Sequence, residues 1–222
     1  MLMNCWNVKF ERAQNWQRLF RYLILTVVFA LSSTAAHSAT KTLLVLGDSL
    51  SAEYGLVRGT GWVALLENRL QENRIAYQVI NASISGETTS GGKARLEKLL
   101  AMHKPRVVVI ELGGNDALRG LSLKATEDNL RAMINASQKA QAQVLLVGMR
   151  IPPNYGRDYT EQFFSLFAKL AKQTQSALAP FLLEGVANDI NLFQADRIHP
   201  LAKAHPTMLN NVWPHLQPLL KK

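Results

Sequence analysis

From residue 41 onward, short apolar runs ending in glycine and small polar residues alternate with stretches whose apolar residues recur at helical spacing. KTLLVLGDS (41–49) reads as a buried strand that stops at a Gly-Asp-Ser turn. GWVALLENRLQEN (61–73) then sets Trp62, Leu65, Leu66 and Leu70 on one helical face. YQVINAS (77–83) is the next predicted strand, and SGETTSGG leads into a predicted helix over 92–103. RVVVIELGGND (106–116) is the clearest strand, closed by two glycines, and precedes a helix over 123–140. QVLLVGM (143–149) predicts a fourth strand. IPPNYGRDY (151–159) is a loop, because its prolines remove ladder donors and Asn-Tyr-Gly suits a turn. A helix over 160–178, a short strand near 181–184, the segment ADRIHP and a final helix over about 206–220 complete the pattern, with Pro214 expected to interrupt the last. Such alternation demands an α/β fold with a mainly parallel sheet and helices on both faces. In such sheets chemistry collects beyond the carboxyl ends of the strands.

The first 39 residues follow a different logic. Lys9, Arg12, Arg18 and Arg21 stand against Glu11, and the apolar run Tyr22–Leu31, broken only by Thr26, gives way to small residues. Basic, then apolar, then small is the order of a secretory signal peptide, and the run is too short for a membrane span of about 20 residues. Cleavage is expected after Ala35, Ala36 or Ala39; the alternative is an uncleaved anchor. The single cysteine of the chain, Cys5, leaves with the leader. The predicted organisation is a leader over 1–39 and one domain over 40–222, periplasmic or secreted, able to fold in an oxidising compartment without a disulfide. The formal charge of +9 on the 222 residues divides into +3 on the leader and +6 on the remainder. Those remaining charges are scattered, with no basic helix interleaved with aromatics, so nucleic acid is not an expected partner.

The predicted strand ends carry the informative residues. Ser49, after Gly47 and Asp48, can face the cleft with its own N–H, which suits a nucleophile whose attacked carbonyl oxygen must be held as it gains charge. Taken alone, Gly-Asp-Ser also fits a simple helix cap. A serine nucleophile requires a base. Of His103, His199, His205 and His215, only His199 has an acid placed to orient it, Asp196 three residues earlier in the same loop. His103 and His215 read as surface residues, and no acid lies within six residues before His205. Gly86 can bring a bare backbone N–H close to substrate, and Asn115 can offer a side-chain N–H from the end of the most buried strand.

The blocks GDSLS (47–51), ASISGETT (82–89), GGND (113–116) and DRIHP (196–200) resemble, in order, those of the SGNH or GDSL-type hydrolases. The flanking LLVLGDSLSA, ELGGNDALRG and PPNYG are similar to the secreted bacterial branch known as thioesterase I, lysophospholipase or arylesterase. The resemblance spans about 41–220. It implies a flavodoxin-like three-layer α/β/α fold, with Ser49 as nucleophile, His199 as base and Asp196 as its orienting acid. The Ser49 and Gly86 N–H groups and Asn115 would be the oxyanion donors. It further implies that Ile151, Pro152, Pro153 and Tyr155 belong to an acyl-binding loop.

The expected function is therefore a serine hydrolase cleaving acyl esters and thioesters such as lysophospholipids, fatty-acyl or aryl esters and acyl-CoA. It is expected to work as a monomer on small-molecule substrates, with no cofactor, no metal and no stable membrane insertion. A carbohydrate acetyl esterase would use the same blocks with a polar, aromatic-lined cleft. A nucleotide-binding module of flavodoxin type would need a phosphate loop, which Gly91-Gly92-Lys93 matches only superficially. Glu53, four residues after Ser49, lies one turn from the nucleophile if 49–53 is helical, and otherwise faces solvent.

Overall fold

The computed structural model describes residues 40–221; the expected leader and its expected cleavage sites lie outside the described residues. Five parallel strands form one sheet: β1 (Lys41–Gly47), β2 (Tyr77–Asn81), β3 (Val107–Glu111), β4 (Gln143–Val147) and β5 (Ala177–Ala179), in the order β2-β1-β3-β4-β5. The helices are α1 (Trp62–Glu72), α2 (Thr89–His103), α3 (Gly114–Leu118), α4 (Leu123–Lys139), α5 (Arg157–Thr174) and α6 (His205–Leu220). One face of the sheet is covered by α1 packed on α6, the other by α2, α4 and α5. This is the parallel sheet with helices on both faces that the alternation predicted, and the three-layer, flavodoxin-like α/β/α fold that the family resemblance implied.

Burial explains why the central strands are continuous apolar runs and not alternating ones. Leu43–Leu46, Val107–Ile110 and Leu145–Val147 have no exposed surface, since helices cover both sheet faces. The helices are aimed by their caps. Thr88 accepts the Gly91 N–H at the start of α2, and Ser122 accepts the Ala125 N–H at the start of α4.

Several features differ from the sequence reading. The helix expected over 160–178 runs Arg157–Thr174 and is ended by Gln175 in a left-handed cap, so that 177–178 fall in β5. Helix α2 begins at Thr89, so both glycines of Ser-Gly-Gly lie inside it. A Cβ on Gly92 would collide with the Leu112 side chain, so glycine there is what lets the helix lie close to the end of β3. The last strand is Ala177–Ala179, not 181–184: it pairs through Val147↔Ala179, and Pro180 ends it by lacking an N–H. The apolar Phe181, Leu182 and Leu183 are buried as expected, but in a turn and not a ladder. Pro214 does not interrupt α6. It and Pro218 share an exposed stripe with Pro206 and Asn210, so the carbonyls they leave unpaired face water.

At the end of β4, Gly148 donates to the Ala179 carbonyl at 2.8 Å and accepts from the Leu182 N–H at 3.1 Å. A Cβ at this position would sit 2.9 Å from the Pro180 carbonyl carbon and nearer still to its oxygen, and backbone cannot yield as a side chain can. Gly148→Ala is therefore expected to cost about 1–3 kcal/mol, typical of overpacking, and to lower the melting temperature by roughly 3–10 °C in a thermal melt. An unchanged melt would contradict this packing.

Candidate active site

The strand order reverses direction between β1 and β3. The chain leaves β1 toward α1 on one face and leaves β3 toward α3 and α4 on the other, which opens a crevice at their carboxyl ends. Ser49 lies two residues beyond β1 and Asn115 four beyond β3, and both line this crevice.

His199 arrives from a distant segment. Residues 192–201 close into a small hairpin through an antiparallel bridge between Phe193 and Pro200, with Leu201 N–H donating to the Leu192 carbonyl at 2.7 Å. At its tip Asp196 folds back on its own backbone. One carboxylate oxygen accepts the N–H groups of Ile198 (2.9 Å) and His199 (3.0 Å), and the other lies 2.7 Å from His199 Nδ1. His199 Nε2 lies 2.9 Å from Ser49 Oγ. Ser49, His199 and Asp196 thus form one unbroken hydrogen-bonded chain. Burial pushes the Asp196 carboxyl upward, but the His199 N–H, the imidazole and the Ile198 N–H outweigh it and hold the group down at about 2. Asp196 therefore stays charged across the whole range in which an imidazole changes state.

The remaining predicted residues fall in different places. Asn115 donates from Nδ2 to Asp48 Oδ2 at 3.1 Å. Gly86 lies on the exposed turn after β2, where its φ of +77° suits glycine. The Ile84 N–H, bonded to the Gly47 carbonyl at 3.1 Å, anchors that turn beside β1. Ile151, Pro152 and Pro153 line the crevice; Tyr155, in a short 3-10 turn, is not among its lining residues. The crevice opens into a cleft of about 800 Å³ whose apolar wall is completed by Met149, Phe164, Phe181, Leu183 and Phe193. The sequence reading missed this second wall, because 181–184 has the pattern of a strand.

His205 is buried at the start of α6, where Nδ1 accepts the Trp62 N–H at 2.9 Å and so caps α1; burial pushes its pKa down. Gly91-Gly92-Lys93 lies within α2 and forms no phosphate loop. Two residues missed in the sequence brace His199. The Tyr54 ring lies 4.3 Å from the His199 ring, centroid to centroid, and Gln194 Nε2 bonds the Tyr54 and Pro200 carbonyls at 2.9 and 3.2 Å.

The model of the GDSL-like lipase/acylhydrolase family matches residues 45–206. This chain belongs to that family. It is 50% identical over 200 residues to esterase TesA of Pseudomonas aeruginosa, covering 90% of this chain and 100% of that protein. It is 42% identical over 206 residues to thioesterase 1/protease 1/lysophospholipase L1 of Escherichia coli K12, covering 93% of this chain and 97% of that one. Among solved structures, esterase EstA from Pseudoalteromonas, inhibited by monoethylphosphonate, superposes with a TM-score of 0.78 at 40% identity, over 82% of this chain and 100% of that one. The expected class, an acyl-ester hydrolase, follows from this membership.

Glu53 is neither on a helix beside the nucleophile nor turned to solvent. Only a single turn follows Ser49, Glu53 takes a left-handed φ of +60°, and its carboxylate accepts the N–H groups of Gly59 (3.0 Å) and Gly61 (2.7 Å). It pins the loop that leads into α1. Glu53→Ala is expected to lower stability by about 1–2 kcal/mol, read as a melting point lower by roughly 2–6 °C. An unchanged melting point in Glu53→Ala would contradict this role.

Proposed function

We propose that the chain hydrolyses acyl esters and thioesters through a covalent acyl-enzyme on Ser49, with His199 as general base, Asp196 as its orienting acid, and Asn115 with the Ser49 and Gly86 N–H groups as oxyanion donors. The observation that carries this reading is the hydrogen-bonded chain from Asp196 through His199 to Ser49, at 2.7 and 2.9 Å. Ser49 Oγ attacks the acyl carbonyl while His199 Nε2 takes its proton, and the carbonyl π electrons move onto oxygen. Asp196, already charged, stabilises the imidazolium that forms. Collapse of the tetrahedral intermediate expels the alcohol or thiol, which receives the proton from His199. Water, deprotonated by the same imidazole, then attacks the acyl-serine; collapse of the second intermediate releases the acid and restores the Ser49 hydroxyl. On the protein's side these steps use only side chains and backbone of one chain.

The shape of the cleft supports one substrate class over the other. Its apolar walls and volume of about 800 Å³ suit a fatty-acyl or aryl group, whereas an acetyl group would leave most of it unfilled. The names of the relatives, esterase and thioesterase/lysophospholipase, point the same way and favour acyl esters, lysophospholipids included, over acetylated sugars. Among the described residues no helix is long and apolar enough to cross a membrane. We further propose that residues 1–39 are a cleaved leader and that the mature enzyme, residues 40–222, acts outside the cytoplasm on such lipids; intact mass of the exported protein should show loss of 35–39 residues.

A fluorophosphonate is expected to label the protein once, at Ser49, and Ser49→Ala to abolish both labelling and turnover. Asn115→Ala is expected to lower kcat by two to three powers of ten, about 3–4 kcal/mol, with a smaller effect on KM. Normal turnover in the Ser49→Ala protein would sink the mechanism. Faster hydrolysis of acetylated sugars than of decanoyl esters would overturn the substrate class.

A further inference from the structure

The corner where β1 and β3 end holds two carboxylates that the reaction scheme leaves without a task. Asp48 is 3% exposed and Glu111 is fully buried. A charge buried this deeply, with no lysine or arginine among its bonded partners, is costly unless its hydrogen bonds accomplish something. Glu111 Oε2 accepts the Asp48 N–H at 3.3 Å and the Ser51 hydroxyl at 2.7 Å, in space that Gly47 leaves open by having no side chain. Asp48 in turn reaches both sides of the crevice. Its Oδ1 accepts the Leu50 N–H at 3.0 Å, the amide immediately after the nucleophile, and its Oδ2 accepts Asn115 Nδ2 at 3.1 Å.

The second of these contacts does something specific. The two ends of a carboxamide have nearly the same shape, and the neighbours choose which end faces where. An ionised carboxylate only accepts, so it holds the nitrogen and repels the oxygen. With one Nδ2 hydrogen spent on Asp48, the other is left to point elsewhere, and Asn115 lines the same crevice as Ser49. We infer that Asp48 is the positioning residue of the oxyanion site: its carboxylate sets the orientation of the Asn115 carboxamide and aims the second N–H at the carbonyl oxygen under attack. This inference rests on the proposed role of Asn115.

The charged and titratable groups facing Asp48 are Glu111 on β3, Asp116 on α3 and His199 on the 192–201 hairpin. Burial raises the Asp48 carboxyl to about 6, against the pull of the Leu50 N–H, His199 and Asn115. Burial and the neighbouring Asp48 hold Glu111 well above the usual carboxylate range. Of the two neighbouring acids, Glu111 is the one whose charge burial disfavours more, which leaves Asp48 as the one to carry the charge. A protonated Asp48 becomes a donor, which the Asn115 oxygen can accept after a flip that withdraws the N–H from the crevice.

The test is a double-mutant cycle on a decanoyl ester with the mature enzyme. Asp48→Asn is nearly isosteric but presents an amide where an acceptor is needed. It is expected to lower kcat about a hundredfold with little change in KM, and to cost nothing further in the Asn115→Ala background. A purely structural role predicts the same loss in both backgrounds, which would overturn the inference, as would an unchanged kcat in Asp48→Asn. A measurement on folded parents covers the case in which Asp48→Asn does not fold. The ratio of wild-type to Asn115→Ala kcat should shrink toward one as pH falls through about 6, since protonating Asp48 removes a contribution that only Asn115 makes, whereas the rest of the machinery is common to both proteins. A ratio that stays flat from pH 8 to 5 overturns the inference. Full kcat in Asn115→Ala at neutral pH would instead remove the oxyanion role of Asn115, a distinct failure.

Discussion

The parallel pairing of β1 with β3, in the register that sets Gly47 beside Glu111, is the constraint on which the site depends. Leu43–Gly47 of β1 and all of β3 are buried, and the chain leaves the two strands toward opposite faces of the sheet. Nothing regular can fill the space between the two departing loops, so a crevice forms there by topology alone. Ser49 and Asn115 reach it because each follows its strand by a few residues. The same closeness explains why an acid can be buried in this corner: Gly47 leaves room for the Glu111 carboxylate, which then holds the Ser51 hydroxyl and the Asp48 amide. The rigidity of the crevice is therefore inherited from the core.

The imidazole of His199 is supplied on different terms. The hairpin that carries Asp196 and His199 is organised locally, by a carboxylate that accepts two amides of its own tip and by a single bridge at its base. Its attachment to the rest of the protein runs through the Tyr54 ring against the imidazole and through Gln194, which bonds the Tyr54 carbonyl. The Asp196–His199 pair is thus assembled within four residues and then docked, whereas Ser49 and Asn115 are fixed by the sheet. The two constructions touch at the 2.9 Å contact between Ser49 Oγ and His199 Nε2.

The strands of the central sheet were legible because a strand covered on both faces must be apolar throughout, and the Gly-Asp-Ser and Gly-Gly-Asn-Asp stops marked where they end. The pairing of His199 with Asp196 was legible for a related reason, since three residues within one loop suffice to orient an imidazole. Phe181–Leu183 misled because burial in a turn leaves the same apolar signature as burial in a ladder. Pro214 misled because a proline interrupts a helix only where the freed carbonyl cannot reach water. Glu53 was read against Ser49 by sequence distance, whereas a left-handed turn sends its carboxylate to the amides of Gly59 and Gly61.

By itself the sequence determined the α/β class, the catalytic candidates at the strand ends and the local Asp196–His199 unit, because periodicity, turn chemistry and short-range hydrogen bonds act between neighbours in the chain. Only the tertiary structure decided which crevice those candidates share, that Phe164, Phe181 and Phe193 complete the apolar wall, and that the buried Asp48 carboxylate holds the Asn115 amide. Those relations join residues as much as 150 positions apart. They arise from the order in which strands pair and helices pack, which no local pattern encodes.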